Sequence, residues 1–474
     1  MSLTHRFGAL VLALAGLLAA PGLVQAQAAA PATVDRAAIA RQAVKSLVLV
    51  EFTFSNENNS SDEAGQGIVV SPDGVVLVSG SLFPDTMPKE WTKDIKLRLP
   101  GKDDTTVPAT FLGRTKDRLF AYLKADEPIG APPLDVANTG PVAMGEPVFA
   151  VALLGKSGGY EPYMGFSSVK TVLHLVHDIA IGESFSLVRA TSPVFDSDTG
   201  KLVGITSPPL GDHMMMRLQN MAAMVDLRDE DQTSAFLPMS DIAAHFRDVP
   251  EKKFEAQRPW IGIDGLTGLE EDFRQAKGLG NQTGVTIGSV IPGKAGAQAG
   301  LQPRDIVLTV NGQPFSTSPV PDYMVSNFER VMEKFSPGEK ITFGILRGDK
   351  KIDSPITLMA MPKTGAEMPH KFHEKVGFTT RDLVFTDTYA RKLPENQKGV
   401  MVAMVKQGAP ASLGQAPLHA QDIITRVNDQ PVDSEKQFED ALGKAVGDKE
   451  AKEVVFAVIR PDGQTAVARV DLTK

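Results

Sequence analysis

From residue 65 onward, short apolar runs alternate with Gly, Pro and Asp turns, the pattern of an all-β barrel or sandwich. Residues 67–70, 75–78, 147–153, 168–175 and 202–206 are predicted strands. Ahead of them, residues 34–47 carry an amphipathic spacing that predicts a short helix leading into a strand over 47–54, and 56–64 reads as a polar loop. The strand pattern continues to about Phe246, and the charged piece 248–258 reads as a linker.

Two copies of one unit come next, exposed by comparing the chain with itself. Residues 284–290 correspond to 399–405, and 305–314 correspond to 422–431. In both copies a helix comes after these strands, with apolar residues at i, i+3, i+4 and i+7: Phe328, Val331, Met332 and Phe335, then Phe438, Ala441, Leu442 and Ala445. Each copy closes in a hairpin, around Gly348 and around Gly463. The implied organisation is a leader over 1–26, a β-rich domain over 34–248, and repeat domains over 257–362 and 370–474.

Composition narrows the function classes. With 474 residues the chain is long enough for three separate cores, and 42 Gly with 33 Pro suit a turn-rich fold. A net charge of -8 argues against nucleic acid as the main partner, because phosphate binding needs a basic face. There is no cysteine, so neither a disulfide nor a lipidated N-terminal Cys is available. Arg6, an apolar stretch over 8–20 and small residues around Ala26 read as a secretory signal peptide. That stretch falls short of the ~20 residues a spanning helix needs. The expected product is exported and soluble, most simply periplasmic, with no membrane span.

Residues 65–81 carry the most specific motif: Gly65, Gly67, Ile68, Ser71, Asp73, Gly74, Leu77 and Ser81 keep a fixed spacing. The stretch resembles the strand pair that bears the catalytic histidine in HtrA-type (DegP-like) serine proteases. The repeat resembles PDZ domains of that family, whose P-x-x-A-x-x-A-G-L run is kept from Pro292 to Leu301. The second copy departs over 413–418. In both copies Arg304 and Gln421 replace the family's glycine before an aspartate, so a local backbone adjustment is expected. The resemblance implies a mainly β fold: a trypsin-like double β-barrel followed by two α/β PDZ domains.

It also implies a His-Asp-Ser triad, and each position departs. The histidine position is Ser81, whose hydroxyl cannot take a nucleophile's proton near neutrality. The aspartate position, anchored on Ala121 and Lys124, is Leu119; Asp117 lies two residues away. An ungapped match anchored on Pro193 puts Ala190 at the nucleophile and Val188 at the oxyanion-hole glycine, while another match deletes that loop altogether. Ser192 is the nearest hydroxyl, an ordinary serine without a base. The expected protein is therefore a degenerate member of the family, with no catalytic residue at the three positions.

The PDZ grooves are the candidate working sites. There a peptide adds as a strand and its carboxylate meets backbone N–H groups. In the first copy the resemblance points to Arg258, Trp260, Ile261, Gly262 and Ile263, facing Phe328, Val331 and Met332. In the second it points to Val376, Gly377 and Phe378 after Lys375, facing Phe438, Ala441 and Leu442. Helical apolar spacing equally suits residues that merely complete each core. His174, His177 and Asp178 lack convergent metal spacing, and His370 with His373 read as solvated linker. Met214, Met215, Met216, Met221 and Met224 suit either a soft binding surface or core filling. No cofactor or metal is expected. Expected partners are peptide C-termini or unfolded polypeptides, and an active HtrA protease or envelope protein that the chain would regulate. The rival readings are an active endopeptidase with non-standard catalytic residues and a structural piece of an envelope complex.

Overall fold

The computed structural model describes residues 34–101, 105–174, 176–183, 189–207, 234–315, 321–414 and 416–473. The leader, Val188 and the five methionines between 214 and 224 lie outside them.

Helix α1 (Arg36–Val44), capped by the Asp35 carboxylate, leads into twelve strands that close two barrels. The first holds β1 (Leu47–Ser55), β2 (Ser60–Val69), β3 (Val75–Ser79), β4 (Thr92–Arg98), β5 (Thr106–Arg114) and β6 (Phe120–Ala125), in the order β1-β2-β3-β6-β5-β4. The second holds β7 (Pro147–Leu153), β8 (Pro162–His174), β9 (Asp178–Gly182), β10 (Pro193–Asp196), β11 (Leu202–Thr206) and β12 (Ser234–Pro238), in the order β10-β11-β12-β9-β8-β7. Short helices α2 (Met239–Ile242) and α3 (Ala244–Arg247) close the domain.

Strand periodicity explains why these runs are apolar on both faces. Side chains alternate across a strand. In β1 and β3, Val48, Val50, Val76 and Val78 fill the first barrel, while Leu47, Leu49, Val75 and Leu77 meet Phe149, Val151 and Ile205 of the second at the seam. Both faces are buried, so β3 is buried along its whole length. Where only pairing and no burial is needed, the signal fades. Strand β2 begins at Ser60 and pairs down to Ser55↔Ser60, so the predicted loop over 56–64 shrinks to a tight tip. Its exposed half is too polar to read as strand from sequence.

The first repeat builds β13 (Pro259–Trp260), β14 (Ile263–Asp264), β15 (Thr267–Gly268), β16 (Val285–Thr286), β17 (Ser289–Val290), β18 (Ile306–Val310), β19 (Gln313–Pro314), β20 (Lys340–Arg347), β21 (Lys350–Thr357) and β22 (Met359–Ala360), with helix α4 (Pro321–Glu333) packed on the sheet. The second builds β23 (Lys371–His373), β24 (Phe378–Asp382), β25 (Val400–Val405), β26 (Ile423–Val427), β27 (Gln430–Pro431), β28 (Glu453–Ile459) and β29 (Thr465–Asp471). Helix α5 (Phe385–Ala390) comes after β24, and α6 (Glu435–Gly447) crosses the sheet with Phe438, Ala441 and Leu442 in the core.

The expected backbone adjustment at the missing glycines does not occur. Arg304 and Gln421 both keep φ at 71°. Their N–H groups reach Ile287 O and Val402 O, each at 2.7 Å, and the next residues, Asp305 and Asp422, are buried. Asp305 takes two 2.7 Å bonds from Arg347, and Asp422 pairs with Arg460. These ion pairs of a buried carboxylate with a part-exposed guanidinium, one residue beyond each left-handed turn, hold the turn in place, so the strain is tolerated rather than relieved. Left-handed backbone costs a non-glycine roughly 1–2 kcal/mol, partly offset by glycine's larger unfolded-state entropy. Arg304→Gly and Gln421→Gly are each expected to stabilise their domain by about 0.5–1 kcal/mol, read as an upward shift of its unfolding transition in urea.

Candidate functional site

Three segments meet at the barrel seam, and they are the three to which the resemblance assigns the triad positions. At the end of β3, the Gly80 N–H donates to Leu119 O at 2.7 Å and the Ser79 N–H donates to Thr191 Oγ1 at 2.9 Å. A Cβ at Gly80 would lie 2.0 Å from Arg118 O, so only glycine allows this approach.

The contents of that junction are neutral. Ser79 Oγ and Ser81 Oγ lie 2.8 Å apart. Ser192 is fully buried; its hydroxyl donates to Arg189 O and accepts from Gln66 Nε2, both at 2.8 Å. Gln66 also donates to Thr191 O and accepts from Leu153 N–H, stitching barrel to barrel. Thr206 Oγ1 accepts from Ser192 N–H and donates to Arg189 O. Leu119 packs against the seam core and Ala190 is half-buried. Among the described residues, no imidazole or carboxylate hydrogen-bonds to these hydroxyls. Two of the loop's N–H groups are committed: that of Thr191 donates to Thr206 O and that of Ser192 to Thr206 Oγ1, so neither is aimed at an oxyanion, while Val188 lies outside the described residues.

Asp117 has a partner that spacing in the sequence did not suggest. Its Oδ2 lies 2.7 Å from Nε2 of His245 on α3, 128 positions further along the chain. Thr115 Oγ1 donates to Asp117 Oδ1 at 2.6 Å, and the Leu119 N–H reaches the same oxygen at 3.0 Å. Burial alone would raise the Asp117 pKa. The His245 hydrogen bond and charge, with Thr115, outweigh that and hold it at about 2. The Tyr122 hydroxyl donates to the His245 backbone O at 2.8 Å, and among the described residues no hydroxyl is hydrogen-bonded to the His245 imidazole, so the contacts of this pair tie the first barrel to the end of the second.

Beside it, α4 of the first PDZ domain is clamped to the barrels. Arg330 reaches Asp178 at 2.8 Å, Glu333 lies 3.1 Å from His177 Nε2, and Lys116 Nζ donates to Phe335 O at 2.8 Å. His174 instead pairs with Asp178 across the β8–β9 turn. The two imidazoles of the weighed metal cluster therefore take different partners, and among the described residues no group of three His, Asp or Glu could hold an ion.

In the first PDZ domain the loop before β14 is shaped by Gly262, at φ +76°, where a Cβ would come 2.3 Å from that of Lys294. Ile261 is buried in the core and Ile263 packs against it. Trp260 meets Phe385 of the second domain edge-on at 5.4 Å, and Lys294 pairs with Glu395 across the same boundary. Arg258 lies 3.9 Å from Asp85 of the first barrel, which Arg118 also contacts. Phe328 and Met332 are buried in the core, with Val331 half-buried against it. Strand β14 pairs with β17 along one edge, and α4 lies over β15.

The second PDZ domain differs. Residues 371–373 are not solvated linker but strand β23, paired antiparallel to β24 on the edge opposite β25 (Lys371↔Thr380, Phe372↔Thr379, His373↔Phe378). This strand also touches α6: Lys371 pairs with Glu439, and the His373 ring meets Phe438 edge-on at 5.1 Å. The Val376 and Gly377 N–H groups both donate to His373 O, at 3.2 and 2.7 Å. Gly377 sits at φ +77°, and Phe378 is fully buried. His370 is buried as well, 6.1 Å from the Trp91 ring of the first barrel. The expectation of a solvated linker fails because both imidazoles find aromatic and carboxylate neighbours that a stretch of polar residues does not announce.

Comparison with known proteins fits this architecture. A model of the trypsin-like peptidase domain matches residues 65–205, and PDZ-domain models match 286–324 and 384–472. A protein of Pseudomonas savastanoi pv. phaseolicola named "Probable periplasmic serine endoprotease DegP-like" is 24% identical over 400 residues, covering 81% of this chain and 74% of its own. A Brucella suis protein of the same name is 23% identical over 411 residues, covering 85% and 72%. The solved structure "HtrA-type protease AlgW with decapeptide" matches with TM-score 0.51 at 16% identity, covering 70% of this chain and all of the other, a likeness of fold alone.

Proposed function

We propose that this chain, a trypsin-like peptidase domain followed by two PDZ domains on the HtrA/DegP-like plan, is a periplasmic pseudoprotease that binds polypeptide C-termini or unfolded segments through its first PDZ domain. It acts as an adaptor, holder or regulator of other proteins, not as a peptidase. The observation that carries the reading is the neutral hydrogen-bond network at the barrel seam, where Ser192 is buried and both of its hydroxyl partners are a carbonyl and an amide. Relatives named periplasmic support the compartment, and no helix among the described residues is long and apolar enough to cross a membrane.

Peptide capture is tested on the full chain. Trp260, one of two tryptophans, borders the Gly262 loop and reports binding by fluorescence. A peptide with a free carboxylate after an apolar last residue is expected to bind at micromolar affinity or weaker, as small strand-addition interfaces do. Amidating that terminus is expected to weaken binding at least tenfold. Gly262→Val is expected to do the same, since its Cβ collides with Lys294 in a backbone region closed to β-branched residues. Equal affinity for free and amidated peptide would overturn carboxylate capture.

A further inference from the structure

We infer that the groove of the second PDZ domain is occupied by the chain itself, with Lys371–His373 as an intramolecular ligand that an incoming peptide must displace. A PDZ ligand adds as an antiparallel strand to the groove edge, between sheet and helix. Strand β23 meets both conditions: it pairs with β24 and contacts α6 through Lys371–Glu439 and His373–Phe438. Thr380 Oγ1, 2.6 Å from His373 Nε2, also donates to Glu435 Oε1 at 2.7 Å, so one hydroxyl links groove strand, occupant and helix. The backbone donors that would receive a carboxylate, Val376 and Gly377 N–H, are spent on His373 O.

The occupant is anchored from outside. Upstream, His370 packs on Trp91 and Glu367 reaches Arg118, both of the first barrel. The tip of the β1–β2 hairpin touches the groove strand: Glu57 accepts from Thr379, which lies opposite Phe372. Asn58 adds bonds to Val405 O and Gln407 N–H. Opening this groove therefore disturbs contacts with the barrel as well.

Tethering sets the size of the effect. Strand β23 is joined to β24 by a four-residue turn, so it competes at an effective concentration of millimolar or more. A free peptide of micromolar intrinsic affinity is then weakened by roughly 10- to 1000-fold at this groove.

The chain lacks cysteine, so Lys436→Cys on the exposed side of α6 takes a single environment-sensitive dye. The probe is a synthetic hexapeptide copying residues 368–373 with a free carboxylate. Chain carrying only the dye is expected to respond with a midpoint roughly 10- to 1000-fold weaker than micromolar. Adding Lys371→Glu and His373→Glu, which set like charges against Glu439 and Glu435, is expected to bring a saturable response at least tenfold tighter. Equal response in both overturns the inference. If the double variant loses the unfolding transition of this domain, hydrogen exchange on the unmodified chain decides: peptide-free amides of 371–373 and 378–380 are expected to be protected, and random-coil exchange at 371–373 overturns it. The inference extends the peptide-binding reading to the second domain. It fails separately, because the dye sits on α6 of the second domain, whereas capture in the first is read from free against amidated peptide and from Gly262→Val.

Discussion

Purified protein is expected to leave unfolded casein intact and to take no label from a serine-directed fluorophosphonate. Loss of a whole triad costs a serine protease about 10⁶-fold in turnover, with roughly 10³–10⁴ over water surviving through the oxyanion hole and binding. With Ser81, Leu119 and Ala190 at the three triad positions, the remaining activity is expected at or below that level. Ser81→His alone is expected to remain inactive: an imidazole there would find the hydroxyl of Ser192 buried and donating to Arg189 O. Robust casein cleavage that disappears in Ser79→Ala, Ser81→Ala or Ser192→Ala would falsify the pseudoprotease reading and restore the endopeptidase.

The largest stability loss is expected on truncating the Asp117–His245 pair. Asp117→Ala leaves a part-buried imidazole without its carboxylate, and His245→Ala leaves a part-buried carboxylate without its imidazole. Breaking a fully buried pair from one side costs about 3–5 kcal/mol, so this one is expected to cost about 2–3 kcal/mol, which urea melts of the barrel transition resolve. The carboxylate also titrates. Its folded pKa of about 2 lies below the ordinary 3.8, so its contribution is complete above the unfolded value and is lost as pH falls from about 5 through 2. The shift corresponds to about 2 kcal/mol. The gap in stability between wild type and Asp117→Asn is therefore expected to narrow by about 1 kcal/mol between pH 6 and pH 3, and by the full amount only below pH 2. Parallel pH profiles would show that the ionised carboxylate is not the source.

Much of the architecture was legible in the residues. Runs such as 75–78 are apolar at every position because both strand faces are buried, and that reads directly as a core strand. The repeat at 284–314 and 399–431 marked two equal domains, and the Gly65–Ser81 motif located the barrel hairpin whose partners lie at Leu119 and Thr191. Less could be read where polar residues pair. The outer half of β2 is exposed and polar, yet its tip docks on the second PDZ domain. His370 and His373 look like solvated linker by composition.

The sequence by itself determined that a serine stands at position 81, and no fold can place an imidazole there. It also showed the repeated unit and the apolar stripe of each repeat's long helix, because burial selects apolar residues position by position. Only the tertiary structure decided which polar groups meet: Asp117 with His245 across 128 positions, Arg330 with Asp178 between domains, and Lys371–His373 in the chain's own groove. Such pairs leave no periodic trace. A hydrogen bond or ion pair needs one partner at one distance and direction, and any polar residue the fold brings there can supply it, whereas a hydrophobic face needs a pattern.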